Sequence, residues 1–143
     1  MNANEKVNSW QMVSKIATVI NLFKTEFPDS MADLSPWLKN PETEKFDDPY
    51  SVDLAFHFSK RSCLCQSYCI LMQIRLSSAT ESTMQRIVEI ELSGHDYMGQ
   101  QWQFATIENR NFQGVRLPLP EAEQKIKHIC RQILSFWSEE FCF

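Results

Sequence analysis

Between residues 51 and 107 the apolar residues stop recurring every three or four positions and begin to alternate, and this change of period decides what the chain can fold into. Val52, Leu54, Phe56 and Phe58 alternate with Asp53, Ala55 and His57. In the next run Leu64, Tyr68, Ile70, Met72, Ile74 and Leu76 share one parity. Met84, Arg86, Val88, Ile90 and Leu92 then alternate with Gln85, Ile87, Glu89 and Glu91, and Trp102, Phe104 and Thr106 with Gln103, Ala105 and Ile107. Side chains two apart on a strand share a face, so each run reads as a strand with one buried side. Polar segments at 59–61, 77–83, 93–99 and 108–111 read as connectors, and Phe112 to Leu117 predicts a fifth short strand. Strands that follow one another across short turns form an antiparallel meander.

Helical periodicity flanks this block. Over 10–27, Trp10, Val13, Ile16, Ala17, Ile20, Phe23 and Phe27 form an apolar stripe, with Lys15, Thr18, Asn21 and Glu26 off it. Asn8 or Ser9 caps its start and Pro28 stops it. Ser30 and Asp33 have capping-box spacing, which predicts a short helix over 31–34, and a turn at Pro36 is expected to carry Trp37 and Leu38 inward. After Pro118 and Pro120 a last helix carries Ala122, Ile126, Ile129, Cys130, Ile133 and Trp137 on its apolar side, with Lys125, Lys127, Gln132 and Glu139 outside. The expected fold is α+β: an antiparallel meander of four to five strands, with the N-terminal and C-terminal helices packed on one face, in a single domain spanning 1–143. The other face would then carry Gln73, Arg75, Gln85, Glu89, Glu91 and Gln103, and strand 51–58 would be a free edge.

Cys63, Cys65 and Cys69 are crowded into RSCLCQSYCILMQIRL, residues 61–76. In a continuous strand they share a face at spacings of ~6.8 and ~13.6 Å. Thiolates on one zinc lie within about 4 Å of each other, so three cysteines so placed cannot share a metal. No Cys-x-x-Cys pair occurs, and His57, His95 and His128 lack zinc spacing. The cysteines, with Cys130 on the last helix's stripe, are expected to act as small buried hydrophobes. Glu42, Glu44, Asp47, Asp48 and Asp53 offer oxygen ligands of the kind calcium takes, but without the glycine of an EF-hand loop. His95-Asp96 could supply a general base, with a nearby cysteine as nucleophile, yet it also reads as plain turn chemistry. No phosphate loop, nucleophile elbow or zinc-protease motif is present, and no catalytic, cofactor-binding or metal residue is assigned.

Charge narrows the function further. Fourteen Lys and Arg against eighteen Asp and Glu give a net charge of −4, which lacks the electrostatic footprint of a nucleic-acid binder. No stretch approaches the length of a membrane span, and the first residues lack a secretion-signal layout. Five cysteines, an odd number, suit reduced thiols, so a cytoplasmic location is expected by elimination. The expectation is a small non-enzymatic adaptor or regulatory domain acting by protein–protein interaction, a homodimer being one form of it, with no cofactor, nucleic acid or membrane. One alternative is a small-molecule binder or minor enzyme with an aromatic-lined pocket between sheet and helices. The other is a calcium-binding protein using the acidic loop 42–53.

Overall fold

A computed structural model of the chain describes residues 1–7, 9–38, 40–41, 48–77, 86–107 and 111–138. Asn8, Glu42, Glu44, Asp47, Met84, Gln85, Glu139, residues 78–83 of one connector and 108–110 of another lie outside the described residues. A 3-10 turn at Ala3–Glu5 precedes helix α1 (Trp10–Glu26). Strands β1 (Ser30–Asp33), β2 (Ser51–Ser62), β3 (Ser67–Leu76), β4 (Ile87–Asp96), β5 (Gly99–Ala105) and β6 (Gln113–Gly114) follow, and helix α2 (Pro120–Ser138) ends the described chain. The strands form one antiparallel sheet in chain order, β1 to β6.

The expected α+β architecture is present, with six strands rather than four or five. The extra strand is the segment read as a short helix. Ser30 Oγ does not accept a capping bond; it donates to the Phe27 carbonyl at 2.7 Å, while Asp33 Oδ1 accepts from Ser35 N at 2.8 Å. Both side chains of the apparent capping box are thereby used in turns, and residues 30–33 pair with 55–58 instead. This overturns the expected edge: β2 lies between β1 and β3, and the edges are the four-residue β1 and the two-residue β6. Short edges of this kind limit unwanted strand pairing.

Register shows how the core is built. Val52, Ile74 and Ile90 align across β2, β3 and β4; Leu54, Met72, Leu92 and Phe104 form the next row; Phe56, Ile70, Gly94 and Trp102 form the third. All these side chains are buried and share one core with Ile16, Val19 and Phe23 of α1 and Ile126, Ile129 and Ile133 of α2. Both helices therefore cover one face. The Phe23 ring stacks on Phe56 with centroids 3.8 Å apart, and Phe104 stacks on Phe112 at 4.5 Å.

Three faces of the sequence pattern were rotated by backbone detail. In α1 the buried side runs through Lys15, Ile16, Val19 and Phe23, so Trp10 is 78% exposed and the Lys15 stem is buried, its ammonium 5.2 Å from the Trp137 ring centroid. A long lysine can line a core edge with its methylenes while its charge meets an aromatic face. In β4 a bulge lies opposite Arg75 and Leu76: Arg75 pairs with Glu89 and Leu76 with Ile87, so Val88 is the extra residue, 51% exposed, and Ile87 packs on the core in its place. Near Pro36, Leu38 is 84% and Trp37 45% exposed rather than inward, although the Trp37 indole N–H donates to Asp53 Oδ2 at 2.6 Å.

The expected turn at 59–61 is also displaced. β2 runs on to Ser62 and the chain reverses over 63–66, where Gln66 has a left-handed φ of 53°. Its side chain accepts from Arg61 at 2.8 Å and donates to the Cys63 carbonyl at 2.7 Å, and Cys65 N donates to Ser62 Oγ at 3.1 Å. These bonds satisfy a turn that no glycine occupies. They also break the alternation, so Ser67 is buried and Tyr68 faces out, tilted against Tyr97.

Candidate functional site

The face away from the helices is closed at one end and open over β3, β4 and β5. At the closed end Asn2 forms a parallel bridge with Asp53, and Asp53 N donates to the Met1 carbonyl at 2.9 Å. Asn2 is bonded at both ends to the Trp37 backbone, each bond 3.0 Å. Asp53 is buried, accepting from Trp37 Nε1, Ser51 Oγ and the Met1 amino group. Of the candidate calcium ligands, Glu42, Glu44 and Asp47 are outside the described residues. Asp48 Oδ1 accepts from Tyr50 N at 2.9 Å, and Asp53 is held inside this network, so the two are spent on the fold locally.

Over the open part, register puts Gln73 beside Glu91, and Ser93 beside Gln103, which pairs in turn with Gln113. These side chains, with Glu89 and Gln100, wall a concavity of about 270 Å³. Arg75 lies next to it, its guanidinium nitrogens 3.8 Å from Glu89 and 3.6 Å from Glu91. Gln100 Nε2 donates to Gln103 Oε1 at 3.4 Å. The polar residues expected on this face from alternation are there, apart from the undescribed Gln85. The concavity opens outward, whereas the inner face is filled by the aromatic and aliphatic core.

The cysteine triplet is dispersed, which corrects the reading of three strand residues on one face. Cys63 is exposed in the turn, Cys65 is buried in the core, and Cys69 is half-buried on the outer face of β3. Among the described residues no three His, Cys, Asp or Glu side chains are grouped to hold a metal. Cys69 stands in register between His57 and His95, an arrangement that invites a nucleophile reading. Burial, and then the charge of Asp33, push its thiol above the usual range, so it is poorly prepared to act as a thiolate.

The His95-Asp96 pair also divides. His95 is a strand residue on the outer face, hydrogen-bonded through Nε2 to Ser93 Oγ at 2.8 Å, and burial lowers its pKa. Asp96 closes the two-residue hairpin, accepting from Met98 N at 2.7 Å and from Gln101 Nε2 at 3.2 Å. Among the described residues a histidine–carboxylate pair forms between His57 and Asp33, 3.0 Å apart. Burial alone would raise the Asp33 pKa. The His57 hydrogen bond, the Ser35 N–H and the His57 charge outweigh it, leaving the carboxyl lower than usual. Sequence reasoning missed this pair because its partners are 24 residues apart and Asp33 was read as helical. The alternation that turned His57 and Asp53 away from Val52 was the one signal of its face.

Thiol chemistry offers a direct check on this arrangement. Burial pushes Cys65 up to about 11 and Cys130 up to about 12. At roughly pH 8 a thiol with the latter value is ionised in only about one molecule in ten thousand. In a Cys142→Ser chain, iodoacetamide should alkylate Cys63 first and Cys69 more slowly, with Cys65 and Cys130 reacting only on unfolding. Mass spectrometry that finds Cys65 or Cys130 alkylated as fast as Cys63 in the folded protein would contradict the placement.

Fold and face together define an α+β domain whose helices bury one side of a six-stranded sheet and leave a polar concavity on the other. The profile of a family described as a domain of unknown function matches residues 4–139, and the chain belongs to that family. Neither a curated protein nor a solved structure matches it. No described helix is long and apolar enough to cross a membrane.

Proposed function

We propose that this domain is a small non-enzymatic adaptor or regulatory module that binds another protein through the open outer face of its sheet. The observation that carries the reading is the concavity over β3, β4 and β5, walled by amides and carboxylates on strands whose opposite side chains are locked in the core. A rigid floor costs little ordering on association, and a polar lining confers specificity through hydrogen bonds that a wrong partner leaves unmade. Catalysis is the weaker reading because burial and then the Asp33 charge push the Cys69 thiol upward, and His95 and Asp96 have separate partners. Free thiols, Cys63 among them exposed, suit a reducing compartment such as the cytoplasm.

A photoreactive residue placed at Gln103, on this face, should cross-link one discrete partner in cells, either a different protein or a second copy. One placed at Gln132, on the exposed side of α2, should not. The adduct should re-form from purified components and be lost in a Glu91→Lys chain of unchanged stability. Adducts from Gln132 alone, or a Gln103 adduct indifferent to Glu91→Lys, would refute the proposal.

A further inference from the structure

We infer that the end of the sheet carrying the turn at 63–66 and the β4–β5 hairpin is a second docking surface, and that it takes an acidic protein segment with apolar side chains among its carboxylates. Three separate stretches of chain meet there. Tyr68, at the start of β3, and Tyr97, in the hairpin, lie with ring centroids 6.4 Å apart. Val115 N donates to the Gln101 carbonyl at 2.8 Å, and Gln101 Nε2 reaches Asp96 Oδ1 beside the hairpin at 3.2 Å. Leu119 N donates to the Leu64 carbonyl at 2.8 Å, which closes the circuit back to the turn. The side chains so gathered are apolar and open to solvent: Tyr97 is 86%, Val115 85% and Met98 77% exposed, and Tyr68, Leu117 and Leu119 less so. Exposed apolar residues scattered singly are ordinary, whereas a group of them at one place marks an interaction site.

Charge selects the kind of partner. Lys60 and Arg61 lie near the end of β2, and Arg116 follows Val115. Arg61 donates to the Gln66 side chain at 2.8 Å, and among the described residues none of the three cations meets a carboxylate. The carboxylates at this end are otherwise placed. Asp96 Oδ1 accepts from Met98 N and Gln101 Nε2, and Glu121 pairs with Lys125 at 3.6 Å. Asp29 and Glu123 are on the helix side, in the turn before β1 and the first turn of α2. Ser51, Leu76, Ile87 and Ala105, the strand residues nearest the undescribed segments, sit at the opposite end of the sheet, and α2 leads away from Leu64. Three cations around an apolar group, in a chain of net charge −4, make this end complementary to an acidic segment. Two other anionic partners fit less well. Binding to anionic lipid is read from clusters of about four to eight cations. A single-stranded nucleic acid stacks its bases on open ring faces. Here Met98, Val115, Leu117 and Leu119 offer aliphatic contact, and the two tyrosines tilt against each other at 55°.

This surface is distinct from the outer face, and its test does not depend on that reading. The probe is a blocked peptide, acetyl-Glu-Asp-Leu-Phe-Asp-Glu-amide, against its neutral isostere acetyl-Gln-Asn-Leu-Phe-Asn-Gln-amide, each titrated into the full chain and followed by backbone NMR. The acidic peptide should shift the amides of Tyr97, Met98, Val115 and Leu117 with a Kd on the order of millimolar or below, leaving Gln73 and Gln103 in place, and the neutral one should bind about tenfold more weakly. Lys60→Gln with Arg116→Gln should weaken the acidic peptide several-fold and spare the neutral one. Tyr97→Ser with Met98→Ser, both at exposed positions, should weaken both peptides and leave the urea midpoint unchanged. Equal affinity for the two peptides, no binding of either, shifts centred on Gln73 and Gln103, or indifference to Lys60→Gln with Arg116→Gln would overturn the inference. So would tighter binding to phosphatidylserine vesicles or to oligothymidylate than to the acidic peptide.

Discussion

Gly94→Ala should cost the folded chain about 3 kcal/mol, a large share of a typical domain's stability. Gly94 lies in the third core row, between Ile70 and Trp102, inside a strand rather than in the turn its sequence surroundings suggest. A Cβ there would sit 2.2 Å from Trp102 Nε1, 2.3 Å from Trp102 Cε2 and 2.6 Å from Ser67 Oγ. The fully buried indole crosses β4 at this position and donates to the Cys65 carbonyl at 2.7 Å and to Ser67 Oγ at 3.1 Å. Any side chain at 94 pushes the ring off both acceptors. Urea unfolding is the measurement. Trp102→Phe removes the crossing indole and should cost about 1–3 kcal/mol by itself, through its lost bonds to the Cys65 carbonyl and Ser67 Oγ, although Ser67 Oγ still donates to that carbonyl at 2.6 Å. The double variant should lose less than the sum of the two, because the clash and the lost bonds share one cause. Strict additivity, or a Gly94→Ala chain as stable as the parent, would contradict the packing described.

Phe23→Ala should cost about 3–5 kcal/mol, the range for emptying an aromatic site in a core. Phe23 is fully buried, and its ring stacks on Phe56 at an interplanar angle of 11° while touching Phe27 at 5.1 Å. It is the point where α1 meets the sheet, and its removal leaves a cavity between two rigid elements. Trp10→Ala on the same helix is the control. Trp10 is larger and looked equally apolar in the sequence, yet it lies on the exposed side, so its loss should change stability by less than about 0.5 kcal/mol. Comparable losses for the two would place the helix at a different rotation.

The meander and its two helices were legible because period is a property of many residues at once. Val52, Leu54, Phe56 and Phe58 could hardly be buried in any other way, nor could the stripe of α2 from Ala122 to Trp137. What escaped was decided by single residues and distant contacts. A bulge at Val88 and a left-handed Gln66 each reset parity, and neither leaves a mark in a pattern of apolar residues. Ser30 and Asp33 satisfied a local rule, but pairing with 55–58 outweighed it, since four ladder positions on an otherwise open β2 bury more than one turn of helix could. The polar face was anticipated as a set of residues. Its concavity was not, because the lining gathers residues from β3, β4, β5 and β6 and from Ile107 and Asn111 between them. The His57–Asp33 pair depended on knowing that residues 30–33 form a strand.

The most direct test is backbone NMR of the labelled domain with and without the reconstituted partner obtained through Gln103. Binding through the open sheet face predicts that amides of Gln73, Glu91, Gln103 and Gln113 shift or broaden on complex formation. Those of the exposed α2 residues Gln124, Arg131 and Gln132 should stay in place. Shifts concentrated on α2, with the four sheet residues unchanged, would contradict the account.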